Sequence, residues 1–174
     1  GIRSIASGFQ SVKSGDSKIV VAGGQESMSM APHAIHIRDG KKLGDAEIVD
    51  TMIKDGLWDA FHGYHMGITA ENVATKFQIT RDEQDKFALS SQEKALKALK
   101  EKKFKDEIVN FKIKSKRSEI DFKQDEHPRE GINFDALKRL KPVFQKDGTV
   151  TAGNASGIND GAAAVTLMSD KEAE

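Results

Sequence analysis

Apolar and polar positions change their spacing several times along the chain, and each change predicts an element. Ile2, Ile5, Ala6, Phe9 and Val12 recur at helical spacing, with Arg3, Ser7 and Lys13 between them, until Gly15 and Asp16 interrupt the pattern. A helix is expected there. Lys18–Ala22 then carries the β-branched run Ile19, Val20 and Val21 and ends at Gly23-Gly24, the pattern of a strand buried on both faces. Gly161–Ser169 repeats the idea, with Ala162, Ala163 and Ala164 leading into Val165, Thr166, Leu167 and Met168. Helix followed by inner strand is α/β grammar.

Between the two apolar strands the chain is more polar and is punctuated by glycine and proline, so residues 31–149 read as an insertion into a core made from 1–30 and 150–174. Within it, Ile48, Val49, Met52 and Ile53 predict a helix over Asp45–Lys54 capped at Gly56, and Ile68, Val73, Ala74 and Phe77 predict another. Thr80 and Glu83 have the spacing of a capping box, ahead of a long helix carrying Phe87, Ala88, Ser91, Ala95 and Leu99. From Glu107 to Ser115 the period falls to two, predicting a half-exposed strand, and Leu137 and Leu140 follow Asp135 on a short helix. Two such strands do not make a stable parallel sheet alone, so the expectation is a portion of a larger fold, and one of poor solubility in isolation.

Composition narrows the chemistry. The 174 residues hold 27 Lys+Arg against 27 Asp+Glu, and hydrophobic residues make up 37%. A balanced charge gives no overall field for a polyanion, and no apolar run approaches a membrane span or the layout of a signal peptide. The expectation is therefore a cytoplasmic protein with no nucleic-acid or membrane partner. Cysteine is absent, which removes disulfides, thiolate metal ligands and a cysteine nucleophile from these residues.

Three groups of residues could still carry function. Residues 148–161 concentrate glycine, asparagine and small hydroxyl side chains before an inner strand; the loop is either an ordinary turn or a place where backbone approaches a ligand. It has neither a Walker spacing nor G-x-G-x-x-G. His62, Tyr64, His65 and Met66 lie between Gly63 and Gly67, which argue for loop; two histidines leave a zinc short of ligands, so no metal site is expected and one histidine is read as a pocket wall. Between Lys94 and Lys123, eleven basic residues face five acidic ones, a surplus of six that reads as solvated surface, with attraction of a phosphorylated small ligand left open. A G-x-S-x-G elbow is absent, and no carboxylate pair stands out from ordinary helix surface.

Several long motifs carry a resemblance. Asn154-Ala-Ser-Gly-Ile-Asn-Asp-Gly-Ala-Ala-Ala164 resembles the N-A-S-G-x-N-D-G-A-A-A signature of the thiolase family, and Val21-Ala-Gly-Gly-Gln-Glu-Ser-Met-Ser29 resembles its V-A-G-G-x-E-S-M-S. Lys54-Asp-Gly-Leu57, Tyr64-His-Met-Gly-Ile-Thr-Ala-Glu-Asn72 and Arg81-Asp-Glu-Gln-Asp85 follow in family order, so the likeness covers essentially the whole chain.

The resemblance implies a thiolase-fold portion: part of an N-terminal five-layered α/β half, with the inserted loop domain that covers coenzyme A and helps assemble a homotetramer. Tyr64-His65-Met66-Gly67 is similar to the short-chain biosynthetic branch, implying reversible condensation of two acetyl-CoA to acetoacetyl-CoA and CoA, with these thioesters as substrates and no separate cofactor. By family position Leu57, His65, Met66, Phe144, Ala152, Ser156 and Gly157 should line the pantetheine and acyl tunnel. Ser156 would bond a pantetheine amide, and Arg129 would sit near the nucleotide end, although His127-Pro128 stands where typical members have Tyr-Ile. No catalytic residue is expected within this chain. Gly1 resembles the last glycine of the Cys-x-x-Gly turn that carries the nucleophile, and the activating histidine and second cysteine belong to the other half of the family's fold. The chain alone is thus expected to be inactive. The competing readings are a degradative 3-ketoacyl-CoA thiolase and a non-catalytic coenzyme A-binding or assembly module.

Overall fold

The structure, a computed structural model, describes residues 1–114 and 118–174. Its elements in chain order are α1 (Ile2–Ser14), β1 (Ile19–Glu26), β2 (His33–Ile35), β3 (Ile48–Asp50), β4 (Trp58–Asp59), β5 (Tyr64–His65), α2 (Met66–Phe77), α3 (Arg81–Lys100), β6 (Phe111–Lys114), β7 (Glu119–Phe122), α4 (Phe134–Lys138), β8 (Gly161–Met168) and α5 (Asp170–Ala173). They form two compact units, Gly1–Trp58 with Ile158–Glu174, and Asp59–Gly157. No helix among the described residues is long and apolar enough to cross a membrane.

In the first unit α1 ends where Gly15 takes the left-handed conformation, φ 83°, and donates its N–H to Ser11 and Val12 carbonyls. The helix lies on a two-stranded sheet in which β1 and β8 pair antiparallel from Ile19 opposite Met168 to Glu26 opposite Gly161. Gly8 makes that approach possible: a Cβ there would stand 2.9 Å from Leu167 and 3.1 Å from Val20. The expectation of strands buried on both faces is corrected. Ala22 is buried against the helix side, but Val21 on the opposite face is 71% exposed, and β1 runs on through Gly23 and Gly24 to Glu26. Those glycines continue the strand because β8 comes very close; a Cβ on Gly23 would overlap the Ala163 backbone. Asp160, just before β8, accepts from the Ser29 backbone N–H at 2.9 Å and from its hydroxyl at 2.6 Å. These bonds, the side-chain one foremost, hold the Asp160 carboxyl below its ordinary value.

The helix expected over Asp45–Lys54 is also corrected. Ile48–Asp50 is a strand whose Ile48 and Val49 sit opposite Ile35 and Ala34, and only Met52–Gly56 coils, as a single π-turn. The β-branched pair found a partner strand, which local helical spacing does not reveal.

In the second unit α2 starts at Met66 with His65 as its N-cap, earlier than its apolar spacing requires, and is closed by Gln78 with φ 56°. The capping box opens α3 as expected: Thr80 Oγ1 accepts the Glu83 N–H, and Glu83 Oε2 accepts the Thr80 N–H at 2.7 Å. The period-two stretch yields only Phe111–Lys114 as strand, paired antiparallel with Glu119–Phe122 and exposed on both faces rather than one. Ser115, Lys116 and Arg117 of the sequence reading lie outside the described residues. α4 is capped by Asn133, whose side chain accepts the Ala136 N–H at 2.9 Å, rather than beginning after Asp135; it buries Leu137 and leaves Leu140 just beyond its end.

Candidate substrate site

The loop after Gly148 is held by two helices through buried acids. Glu71, on α2, is 4% exposed. Its carboxylate accepts the Thr149 N–H at 2.8 and 2.9 Å, the Thr149 hydroxyl at 2.8 Å and the Val150 N–H at 2.8 Å. Burial pushes this carboxyl up, but the bonds from Val150 and Thr149 together outweigh it and hold it below its ordinary value. Asp85, on α3, is fully buried; it accepts from Arg81 Nε at 2.7 Å and from Asn154 Nδ2 at 3.0 Å. Arg81 also donates to the Leu137 and Leu140 carbonyls, at 2.7 and 3.0 Å, which ties the end of α4 into the same network. Asn154 closes the loop on itself, accepting the Thr151 N–H at 2.8 Å and donating to the Thr149 carbonyl at 2.9 Å.

What this scaffold presents is a cleft of about 590 Å³ between α3, α4, the 127–132 segment and the 152–156 loop. Arg129, Ala152 and Ser156 line it together, with Phe87 and Ser91 on the α3 wall. Gln92, also on α3, accepts the Arg129 backbone N–H at 3.0 Å, so the 127–132 segment is fixed by its main chain and the guanidinium stays exposed. A wall of small and apolar groups carrying the hydroxyls of Ser91 and Ser156, with Arg129 beside Glu130 at one end, can hold a long arm through few polar points.

His65 and Phe144 form a second piece of the site. The His65 Nδ1 accepts the Gly67 N–H at 2.9 Å and caps α2, so the neutral ring carries its proton on Nε2. The ring stacks on Phe144 at 4.6 Å between centroids and 27° between planes. Gly67 is therefore inside α2, not in the loop its glycine suggested. A Cβ there would collide with the Phe144 ring. Met66 lies beside it, 38% exposed. His62 is occupied separately: its Nδ1 is 2.9 Å from Asp59 Oδ2, and its ring stacks on Tyr64. That side-chain bond, followed by the Phe61 backbone bond, holds the Asp59 carboxyl below its ordinary value. Leu57 is half-buried after the π-turn of the first unit, and Gly157 is exposed at the end of the second.

Reading Asp and Glu as ordinary helix surface missed Glu71 and Asp85. A signal existed: Glu71 stands three residues from both Ile68 and Ala74, and Asp85 three before Ala88, so each acid lies on the apolar side of its own helix.

The comparisons with known proteins agree with one another. The family model described as thiolase, N-terminal domain, matches residues 1–171. The acetyl-CoA acetyltransferase of Rhizobium meliloti is 59% identical over 173 residues, which are 99% of this chain and 44% of that protein. The cytosolic acetyl-CoA acetyltransferase of Rattus norvegicus is 52% identical over 100% of this chain and 44% of its own length. Among solved structures, the Bacillus anthracis acetyl-CoA acetyltransferase superposes with a TM-score of 0.90 at 47% identity, and the human mitochondrial 3-ketoacyl-CoA thiolase with 0.89 at 41%. Each covers 99% of this chain and is itself covered to 44%. The chain thus spans less than half the length of the relatives it matches.

Proposed function

The chain belongs to the thiolase family, and from that membership we propose that the polypeptide containing it interconverts two acetyl-CoA with acetoacetyl-CoA and CoA. The observation that carries this reading is the cleft in which Ser156, Ala152 and Arg129 meet, backed by the buried Glu71 and Asp85 that fix its loop. In this reading the Ser156 hydroxyl bonds a pantetheine amide, and Ala152 with Gly157 leaves room for the arm. His65, stacked on Phe144, forms a second wall with Met66, and Arg129 faces the nucleotide phosphates. Each contact orients the thioester rather than reacting with it, so binding energy along the arm goes into placing the acyl group.

The 174 residues contain no cysteine, so no acyl-cysteine forms on them, and turnover is assigned to groups outside this sequence. In this proposal residues 1–30 and 150–174 are a core portion, and residues 31–149 are the inserted domain that covers coenzyme A and supports a homotetramer.

Cleavage of acetoacetyl-CoA and of a C8 3-ketoacyl-CoA, compared in the longest natural polypeptide containing this chain, tests the assignment. Faster C4 cleavage is expected. Preference for C8 would favour a degradative 3-ketoacyl-CoA thiolase, the reading that the 41% identity to the human mitochondrial enzyme keeps open. Coenzyme A binding without either cleavage would leave the non-catalytic module. Acetoacetyl-CoA cleavage by residues 1–174 alone would overturn the assignment of turnover to groups outside them.

A further inference from the structure

A second, larger groove, of about 1230 Å³, opens between the C-terminal end of α3, the turns that follow it and the foot of the β6–β7 hairpin. Its floor is apolar: Leu96 and Leu99 come from the last turns of α3, and Phe104 and Ile108 from the chain beyond. Five lysines, at 97, 100, 102, 105 and 123, stand around that floor against one acid, Glu130. Lys97 leans on Glu101 at 3.8 Å and Lys123 on Asp121 at 3.7 Å. Lys100, Lys102 and Lys105 have no carboxylate partner among the described residues.

The α3 dipole accounts for lysines within the last helical turn. It does not account for Lys102 and Lys105, which lie past the helix. Lys102 occupies the position of a Schellman ending: its own N–H bonds the Leu99 carbonyl at 3.0 Å, the Lys103 N–H bonds the Ala98 carbonyl at 3.0 Å, and its φ is 53°. Glycine takes that conformation without strain, whereas a lysine there is less favourable for the fold. Lys102 thus stands over the apolar floor with Lys100 and Lys105, three ammonium groups without a carboxylate partner among the described residues, a cluster that complements an anion.

We infer that this groove binds a single-chain anionic amphiphile, its alkyl chain along Leu96, Leu99, Phe104 and Ile108 and its head group between Lys100, Lys102 and Lys105. Charge complementarity selects the head, since five ammonium groups face one carboxylate, and the apolar floor selects the tail over a bare inorganic ion. The inference is independent of the thioester reading, because none of these residues is assigned a role there.

Titration calorimetry with decyl phosphate below its micelle concentration, on the longest natural polypeptide containing this chain, tests it. Saturable binding is expected, with decanol binding much more weakly and decanoate reporting whether a carboxylate head suffices. K102G should weaken binding about fivefold, and K100Q/K102G/K105Q by about two orders of magnitude, on the scale of one anionic-head contact per lysine. K102G should leave Tm unchanged or raise it, which separates loss of a ligand contact from loss of fold. Equal binding of decanol, indifference to the triple substitution, or equal weakening by S156A would overturn the inference. So would association with anionic phosphatidylglycerol vesicles in the absence of monomer binding.

Discussion

Replacing Glu71 by glutamine keeps the shape of the side chain and removes its charge and one acceptor. In the wild-type chain both carboxylate oxygens are used: Oε1 takes the Thr149 and Val150 N–H groups, and Oε2 takes the Thr149 N–H and hydroxyl. Glutamine offers a single carbonyl oxygen, so at least one buried donor would face the new NH2. A buried donor left unpaired costs about 1–3 kcal/mol, and bonds to a charged acceptor contribute about 1.5–3 kcal/mol. Glu71→Gln should therefore cost about 2–3 kcal/mol and Glu71→Ala, which leaves both backbone donors bare, about 3–5 kcal/mol. Urea unfolding gives the total, and amide exchange at Thr149 and Val150 gives the local component. The folded-state carboxyl lies below its ordinary value, so its contribution is complete above the unfolded value, near pH 4.3, and is lost as pH falls through the folded one. The difference between wild type and Glu71→Gln should accordingly shrink on acidification below about pH 4. A cost under about 0.5 kcal/mol at neutral pH, or a difference that grows in acid, would refute the view that this carboxylate anchors the loop.

Three other substitutions probe separate joints. Thr80→Ala breaks the capping box of α3 and should cost about 1 kcal/mol in thermal unfolding, with coenzyme A affinity unchanged. Gly67→Ala drives a methyl group into the Phe144 ring and should cost about 1–3 kcal/mol, much of it recovered by adding Phe144→Leu. In the proposed reading, where the Ser156 hydroxyl bonds a pantetheine amide, Ser156→Ala should raise KM for acetoacetyl-CoA several-fold, with Tm within a degree because Ser156 is exposed.

Local chemistry was the most legible part of the sequence. Gly15 as a helix stop and the Thr80–Glu83 box both depend on neighbours within four residues, and each stands where the pattern put it. Ile48 and Val49 were misread because their partners, Ile35 and Ala34, come from another segment. Val21 has the residue type of an inner strand and stands 71% exposed; the pattern encodes a cover that helix α1 supplies on one side only. The candidate site shows the same division. Asn154, Ser156, Glu71 and Asp85 all lie in motifs the sequence displays, but the anchoring role of the two acids depends on Thr149, Val150 and Asn154, which are distant in the chain and meet them only when the loop folds onto the helices.

Hydrogen exchange with and without coenzyme A, on the longest natural polypeptide containing this chain, examines the thioester wall most directly. Slowed exchange is expected in two segments, 127–132 and 149–157, with the β6–β7 hairpin unchanged. Exchange at 149–157 that coenzyme A leaves unaltered, while the ligand is shown to bind, would contradict the placement of the thioester beside Ser156.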